Sequence, residues 1–230
     1  MNRVDQISAG LDRTRERVAD ACTAAGRDPS ELTIIVVTKT YPATDVKILA
    51  ALGMHDVGEN RDQEAAPKAA ACADTAVRWH FVGQLQTNKA GSVARYASAV
   101  HSVDRARLVP ALDRGATAAG RRLGCLVQVS LDDAPGRGGA APDDVPALAD
   151  LIAESASLEP AGVMAVAPLG VEPERAFAKL AAIAERVQRE HRSATWISAG
   201  MSADLEAAVA HGATHLRVGS AILGERAFEG

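Results

Sequence analysis

A lysine that follows a strongly apolar run is the first residue of this sequence that could do chemistry. Lys39 comes directly after residues 32–38, LTIIVVT, which are mostly β-branched. A run of this kind without polar alternation is typical of a parallel strand that is covered on both faces. Because an ammonium group is costly to desolvate there, Lys39 must have a partner, reach solvent at the rim, or react. A reactive amine in this position would form a Schiff base with an aldehyde.

Two short segments rich in small residues lie late in the chain, each between a predicted strand and a predicted helix. The first, SAGMS, ends at Ser202, and the second contains Gly219 and Ser220. Small residues let backbone N–H groups approach an anion, and helix N-termini favour negative charge. Barrels often bind phosphate after their seventh and eighth strands. The two segments therefore favour a phosphate site, with simple turns and helix caps as the alternative.

These groups together favour one ligand. When a barrel closes, its first strand becomes the neighbour of its eighth, so Lys39 and the phosphate segments would share one side of the mouth. A ligand with both an aldehyde and a phosphate would use them all, and pyridoxal 5′-phosphate (PLP) is such a ligand. Arg217, at the end of the eighth predicted strand, would then lie at the pyridine nitrogen, where a guanidinium disfavours protonation of the ring.

The elements that must position these residues alternate along the whole chain. Eight strand candidates occur, and each one after the first is preceded by a helix. The predicted strands are 32–38, 55–57, 78–82, 99–102, 123–130, 159–166, 194–197 and 215–218. The predicted helices are 3–25, 43–52, 61–72, 88–96, 105–119, 143–155, 172–191 and 205–211. This pattern predicts an α/β protein whose residues 1–230 form a single (β/α)8 TIM-type barrel domain, with an open doubly wound sheet as the alternative.

Composition excludes several classes of protein. Twenty-five basic and twenty-nine acidic residues give a net charge of −4 without a basic run, so nucleic-acid binding is not expected. The N-terminal residues 1–11 lack the apolar stretch of a signal peptide, and no eighteen apolar residues run together, so we expect a cytoplasmic protein without membrane contact. The sequence shows no large apolar patch that would indicate a subunit interface, so we expect a monomer. The three cysteines are widely spaced and are predicted to be small buried hydrophobes: Cys22, Cys72 and Cys125.

The other polar candidates are predicted to be structural. His80 is expected to be a hydrogen-bonded core histidine that points toward the barrel. His101 closes the fourth strand and could reach the mouth, but the sequence identifies no partner for it. Without a completing carboxylate or thiol, no metal site is predicted. His211 and His215, which flank Gly212, are assigned to a turn. Glu59 and Asp62 are assigned to the first turn of a helix.

Six motifs, taken together, resemble the pyridoxal phosphate homeostasis protein family. They are VVTKTYP, GENRDQE, WHFVGQLQTNK, GVMAVAP, ISAGMSADLEAAVAHG and LRVGSAILGER, and the resemblance as a whole spans about residues 3–226. The resemblance implies the barrel of the N-terminal domain of alanine racemases. It implies that Lys39 is the Schiff-base lysine. A Gly-rich loop at residues 132–142 follows the fifth predicted strand, and Arg137 keeps it basic where relatives often carry lysine. The remaining implied cofactor contacts are Asn60, Ser202, Arg217, Gly219 and Ser220.

The function implied by this resemblance is non-enzymatic. In the related fold, an amino-acid racemase takes one of its two bases, a tyrosine, from a second, mostly β domain, and no such domain is predicted here. We therefore expect a protein without catalytic residues that buffers PLP or delivers it to apo PLP enzymes. The alternatives are a PLP-dependent amino-acid racemase of weak activity and an empty barrel that serves as an interaction scaffold.

Overall fold

Eight parallel strands close into a barrel whose neighbours follow the order of the chain. The structure is a computed structural model, and it describes residues 2–132 and 138–224, so that Arg137 lies outside the described residues. The strands are β1 Thr33–Val37, β2 Asp56–Glu59, β3 Arg78–Phe81, β4 Ala97–Val103, β5 Leu123–Gln128, β6 Leu158–Met164, β7 Trp196–Ser198 and β8 His215–Val218. The predicted barrel is confirmed, and the open doubly wound sheet is wrong because β8 pairs with β1.

Helices alternate with the strands as the sequence predicts. They are α1 Arg3–Ala25, α2 Ala43–Ala51, α3 Asp62–Ala71, α4 Ala90–Tyr96, α5 Val109–Ala118, α6 Val145–Ala153, α7 Pro173–Glu190, α8 Leu205–Ala210 and α9 Ser220–Leu223. Two predicted helices begin with a separate 3₁₀ turn, at Thr87–Lys89 and Ala106–Leu108. The second turn ends just before Pro110, a residue that the first turn of a helix accepts because its nitrogen needs no intrahelical partner.

The first helix shows how local sequence signals set element boundaries. Asn2 and Asp5 form a reciprocal capping box at its start. Gly26 ends it in the left-handed conformation, with φ of 65°. Between these ends the helix packs against α8 and α9, the elements that flank β8. The N-terminal helix therefore packs against α9, the helix that Gly219 caps and that begins at Ser220.

The barrel interior is filled by aromatic and imidazole rings as well as by aliphatic side chains. His80 on β3 and His101 on β4 have ring centroids 5.1 Å apart. Trp196 on β7 and His215 on β8 are 4.1 Å apart, and His215 lies 6.4 Å from His101. Because these strands lie on opposite sides of the barrel, the rings can meet only in its interior. His215 is the buried first residue of β8, as the predicted strand 215–218 indicated, and it belongs to the strand rather than to the turn that precedes it.

The three cysteines lie in the protein interior. Cys22, Cys72 and Cys125 are free and buried, as predicted. Cys125 is fully buried, and burial raises the pKa of its thiol far above the ordinary value. Across the parts of the chain that the structure describes, no helix has the length and apolar character needed to cross a bilayer.

Two helical glycines provide a matched test of this packing. A Cβ on Gly10 of α1 would lie 2.3 Å from the carbonyl oxygen of Ile222, whereas a Cβ on Gly91 of α4 would meet nothing within 4 Å. Alanine is the better helix former by about 1 kcal/mol, so Gly91→Ala should raise the free energy of unfolding by up to that amount. Gly10→Ala should lower it by roughly 1–3 kcal/mol, because the backbone of α9 must move. Urea unfolding curves measure both, and equal stability of the two variants would contradict the α1–α9 contact.

Candidate functional site

All six predicted cofactor contacts lie at or beyond the carboxyl ends of strands. Lys39 lies two residues after β1, and Asn60 comes directly after β2. Ser202 lies in the turn between β7 and α8, while Arg217 belongs to β8. Gly219 and Ser220 follow β8 at once. Since the strands are parallel and the barrel is closed, these ends share one mouth.

Helix α3 fixes the backbone on both sides of Lys39. The ammonium of Lys68 donates a hydrogen bond to the carbonyl of Thr38 at 2.8 Å. One helical turn earlier, the carboxylate of Glu64 accepts the N–H of Thr40 at 3.0 Å. Thr40 has φ of 67°, a left-handed conformation that is uncommon for a threonine and is stabilised here by these contacts. The turn that presents Lys39 is therefore well defined.

The Lys39 side chain itself is half-buried. Its ammonium takes part in no hydrogen bond or ion pair with any residue in the ranges 2–132 and 138–224. Lys68 differs in both respects, because it is buried and its ammonium forms an ion pair with Glu59. Lys39 is therefore an amine that has no partner among the described residues and that stands on a backbone held in place. A free amine of this kind can react with an aldehyde.

Glu59 differs from its prediction as a first-turn helical residue. It is the last residue of β2, pairs with Phe81 of β3, and is 1% exposed. Its carboxylate accepts hydrogen bonds from Lys68 at 2.5 Å and from Thr38 at 2.7 Å. Burial raises the pKa of Glu59 even though both partners favour its ionised form. Asp62 does lie in the first turn of α3, as predicted.

The β8 side of the mouth is closely packed against the end of β1. Val218 pairs with Val36, and a Cβ on Gly219 would lie 3.3 Å from the carbonyl oxygen of Val37. A side chain at this position would make a tighter contact than most Cβ atoms do, so the end of β1 would have to shift by a few tenths of an ångström. The two segments that the sequence singles out, one with Lys39 and one with Gly219, are therefore direct neighbours.

The hydroxyl groups of Ser202 and Ser220 are available for a ligand. Ser202 is half-buried and Ser220 is exposed, and neither hydroxyl has a hydrogen-bond partner in the described part of the chain. Arg17 donates instead to the backbone carbonyl of Ser202, at 2.7 Å, and so holds this turn. Helices α8 and α9 are only six and four residues long. An anion bound there would depend on hydroxyl and backbone N–H groups more than on a helix dipole.

Arg217 is a buried cation that points into the barrel. Its Nη1 donates to the hydroxyl of Ser198 at 2.7 Å and its Nη2 to the carbonyl of Ala165 at 2.8 Å. Burial lowers the pKa of Arg217 to about 10, with a partly offsetting attraction to Asp204. The guanidinium is thus charged at neutral pH, and no carboxylate among the described residues forms an ion pair with it.

Asn60 borders a separate recess on the β2–β3 side of the mouth. This cavity of about 440 Å³ is also lined by Asp62, Phe81 and Lys89. A Cβ on Gly83 would overlap the backbone of Asn60, at 2.1 Å from its oxygen, so the loop after β3 is packed directly onto Asn60. The position of Asn60 at the mouth is as predicted, and its role as a cofactor contact stays a prediction.

Sequence reasoning missed a set of polar residues inside the barrel. His101 has two partners where none was identified: His80 Nδ1 lies 2.9 Å from its Nε2, and Ser198 Oγ lies 2.9 Å from its Nδ1. His80 also contacts Asp56, at 2.9 Å. The prediction that His80 is a hydrogen-bonded core histidine directed into the barrel is confirmed. The alternation of inward and outward side chains along each strand predicts that these residues face the barrel interior. It does not predict which of them lie at the same level along the barrel axis and can therefore contact one another.

The charge states of these interior groups follow from burial and from their partners. Burial opposes ionisation of Asp56, but hydrogen bonds from His80 and Arg78 outweigh it and hold the pKa of Asp56 well below the usual range. Burial, together with the nearby positive charges, lowers the pKa of His101 well below 6.5. The same causes lower the pKa of His215 to about 4. Within the described ranges, no group of three or more His, Cys, Asp or Glu residues could hold a metal ion.

Comparison with known proteins places this barrel in a family. The family described as "Alanine racemase, N-terminal domain" matches residues 10–227. A pyridoxal phosphate homeostasis protein of Mycobacterium bovis is 45% identical over 98% of this chain and 95% of its own length. The chain therefore belongs to the pyridoxal phosphate homeostasis protein family.

Solved structures agree with this assignment. PipY of Synechococcus elongatus, solved with PLP bound, is 33% identical and superposes with a TM-score of 0.79 over 90% of this chain and all of its own length. Alanine racemase of Corynebacterium glutamicum is 12% identical, has a TM-score of 0.66, and is matched over 62% of its length. The second likeness shows the fold alone.

Acid should destabilise the protein through its buried interior histidines. His215 has a pKa of about 4 in the folded state and of about 6.5 when unfolded, so between these values the unfolded chain binds the extra proton. Stability therefore falls as the pH drops from about 6.5 to about 4, by on the order of 3 kcal/mol from this residue. Asp56 contributes little in this window, because its unfolded pKa of about 3.9 already lies below the window and its folded pKa is lower still.

The variant His215→Gln should make the free energy of unfolding less dependent on pH between 6.5 and 4. Urea unfolding at several pH values measures this slope for both proteins. Identical slopes would contradict the buried, neutral state assigned to His215.

Proposed function

We propose that this chain binds PLP as a Schiff base on Lys39 and buffers the cofactor or delivers it to apo PLP enzymes, without catalysing a reaction of its own. The observation that carries the proposal is the state of Lys39, an amine that is unpaired within the described ranges and lies on a turn held from both sides by Lys68 and Glu64. Support also comes from relatives that are named for pyridoxal phosphate homeostasis and from PipY, which has been solved with PLP bound.

The residues at the mouth fit the three functional parts of PLP. When bound, PLP supplies an aldehyde that reacts reversibly with an amine and a ring that withdraws electrons. Lys39 would hold the aldehyde carbon, and Asn60 would line the ring. Ser202 and Ser220 would donate their unpartnered hydroxyl hydrogens to the phosphate, which can approach closely because Gly219 has no side chain. Arg217 would face the pyridine nitrogen as a hydrogen-bond donor.

The state of Arg217 favours a carrier over a catalyst. A fixed guanidinium disfavours protonation of the pyridine nitrogen, and an unprotonated ring is a weaker electron sink. Arg217 keeps its proton at neutral pH because its pKa of about 10 lies well above that range. PLP held in this way would remain available for transfer without strongly activating an amino acid attached to it.

The tyrosines also argue against a racemase. The sequence contains two, and the related racemases use a tyrosine as one base. The hydroxyl of Tyr41 already donates to the carbonyl of Gly224, at 2.5 Å. Tyr96 ends α4 and is half-buried, and desolvation of its hydroxyl raises its pKa far above the ordinary value. Neither is poised to accept a proton at the mouth. The recipient enzymes, the monomeric state and the cytoplasmic location stay predictions.

Chemical trapping should identify Lys39 as the site of attachment. Borohydride reduces a Schiff base to a stable secondary amine, so treatment of the PLP-loaded protein should leave the cofactor on the peptide that contains Lys39. Lys39→Ala should lose both the Schiff-base absorbance and the label. Lys89→Ala, which removes a lysine from the neighbouring cavity near Asn60, should keep both. Unchanged PLP affinity of Lys39→Ala, with the label on another lysine, would contradict the assignment.

The proposed lack of catalysis has a separate test. The PLP-loaded protein is incubated with L-alanine and other L-amino acids, and chiral chromatography measures the D-isomers. We expect no more D-isomer than the same concentration of free PLP produces, because neither tyrosine is placed among the described residues to act as a second base. Turnover above that background would establish the racemase alternative. The variant Tyr41→Phe would then show whether Tyr41 is the base.

A further inference from the structure

A continuous chain of hydrogen bonds connects Arg217 to the opposite end of the barrel. It runs from Arg217 on β8 through Ser198 on β7, His101 on β4 and His80 on β3 to Asp56 on β2. Its four links measure 2.7, 2.9, 2.9 and 2.9 Å. We call these five residues the interior chain. Its members are 8% exposed or less.

The two ends of the interior chain fix the direction of every link. An arginine can only donate, and an ionised aspartate can only accept. Ser198 has one proton to give, and each neutral imidazole has one. Arg217 Nη1 therefore donates to Ser198 Oγ, and the Ser198 hydroxyl donates to His101 Nδ1. His101 Nε2 then donates to His80 Nδ1, and His80 Nε2 donates to Asp56. Both histidines are thereby assigned the tautomer protonated on Nε2.

This arrangement is the one that leaves no donor unused. A second proton on either imidazole would deprive the Ser198 hydroxyl of its acceptor within the interior chain. Arg78 donates to both oxygens of Asp56, at 2.8 and 2.5 Å, and so keeps the far end of the chain anionic. Hydrogen bonds in series polarise one another in a medium of low dielectric constant, so the negative end acts on the buried cation at the other end.

The contacts around Arg217 fix the orientation of its guanidinium group. A guanidinium is planar, so fixing two of its nitrogens fixes the plane and the direction of its remaining N–H groups. Ser198 holds Nη1 and the carbonyl of Ala165 holds Nη2. The carbonyl belongs to the backbone that follows β6, whereas the Ser198 hydroxyl depends on His101 for its own orientation.

We propose that the interior chain positions Arg217 toward the ring nitrogen of PLP, and that Ser198 and His101 are positioning residues for this contact. The inference rests on the proposed function and extends it, because it assigns a ligand-directed role to residues that lie beneath the mouth. Ser198 sets the guanidinium plane, His101 orients the Ser198 hydroxyl, and His80 with Asp56 fixes the tautomer of His101.

The test compares two buried serines with two ligands. Ser198→Ala breaks the interior chain, and Ser102→Ala is the matched control because Ser102 is equally buried on β4 but its hydroxyl has no hydrogen-bond partner. The ligands are PLP and its 1-deaza analogue, in which C–H replaces the ring nitrogen. We expect Ser198→Ala to weaken PLP binding roughly tenfold, the usual effect of losing a hydrogen bond to a charged group. It should leave binding of the analogue at the wild-type level, and Ser102→Ala should change neither.

Two outcomes would overturn the inference: an equal loss of affinity for both ligands in Ser198→Ala, which indicates a general disturbance, or no loss for either. These outcomes leave the proposed function intact, because the wild type still binds PLP. If the wild type binds neither ligand, the proposed function fails, and the role at the ring nitrogen fails with it.

Nitrogen-15 NMR of the imidazoles in the protein without PLP gives a second readout. We expect His80 and His101 to show neutral rings protonated on Nε2. Ser198→Ala should shift the Nδ1 resonance of His101, because that atom loses the hydroxyl that donates to it, while Ser102→Ala should not. A His101 ring protonated on Nδ1 would reverse the chain and overturn the inference without involving the cofactor.

Discussion

The pairing of β8 with β1 is the constraint on which the site depends. Four registered residue pairs, from Thr33 with His215 to Val36 with Val218, join two strands that lie about 180 positions apart in the sequence. This closure places the turn with Lys39 beside Gly219, and it turns Arg217 inward from the adjacent strand. Without it, an amine and a set of small residues would remain two unrelated features. Closure of a parallel sheet thus converts a sequence pattern into a binding site.

A second constraint acts locally on the β1 end. Lys68 and Glu64 lie one turn apart on α3, and they contact the backbone immediately before and after Lys39. Lys68 is in turn neutralised by the buried Glu59. Removing one partner of such a buried pair is costly, because the remaining charge stays desolvated. The position of Lys39 therefore depends on three charged side chains that contact its neighbours in the chain rather than Lys39 itself.

The sequence was sufficient for the barrel and for the residues around its mouth, because both leave periodic or compositional signals. Eight apolar runs mark the strands, and a polar or small residue after a run marks the functional end. The partners of Glu59 and His101 were not predictable in the same way. Glu59 follows its strand candidate by two positions, so a shift in the strand boundary changed its surroundings from a helix start to the buried core. The partners of His101 come from strands 21 and 97 residues away, and their heights in the barrel depend on strand stagger, which leaves no local signal.

Two hydrogen bonds join the beginning and the end of the described chain, and they bear on how the protein is made. Arg3 donates to the carbonyl of Leu223 across 220 positions, and Tyr41 reaches Gly224 from 183 positions away. While the ribosome is still making the second half of the protein, β1 has a free edge of unpaired peptide groups and Lys39 stands beside an open gap. Contacts between residues so far apart in the sequence are slow to form, because closing a long loop costs conformational entropy. The turn with Lys39 and the segment with Gly219 therefore become neighbours only after β8 has been synthesised and has paired with β1.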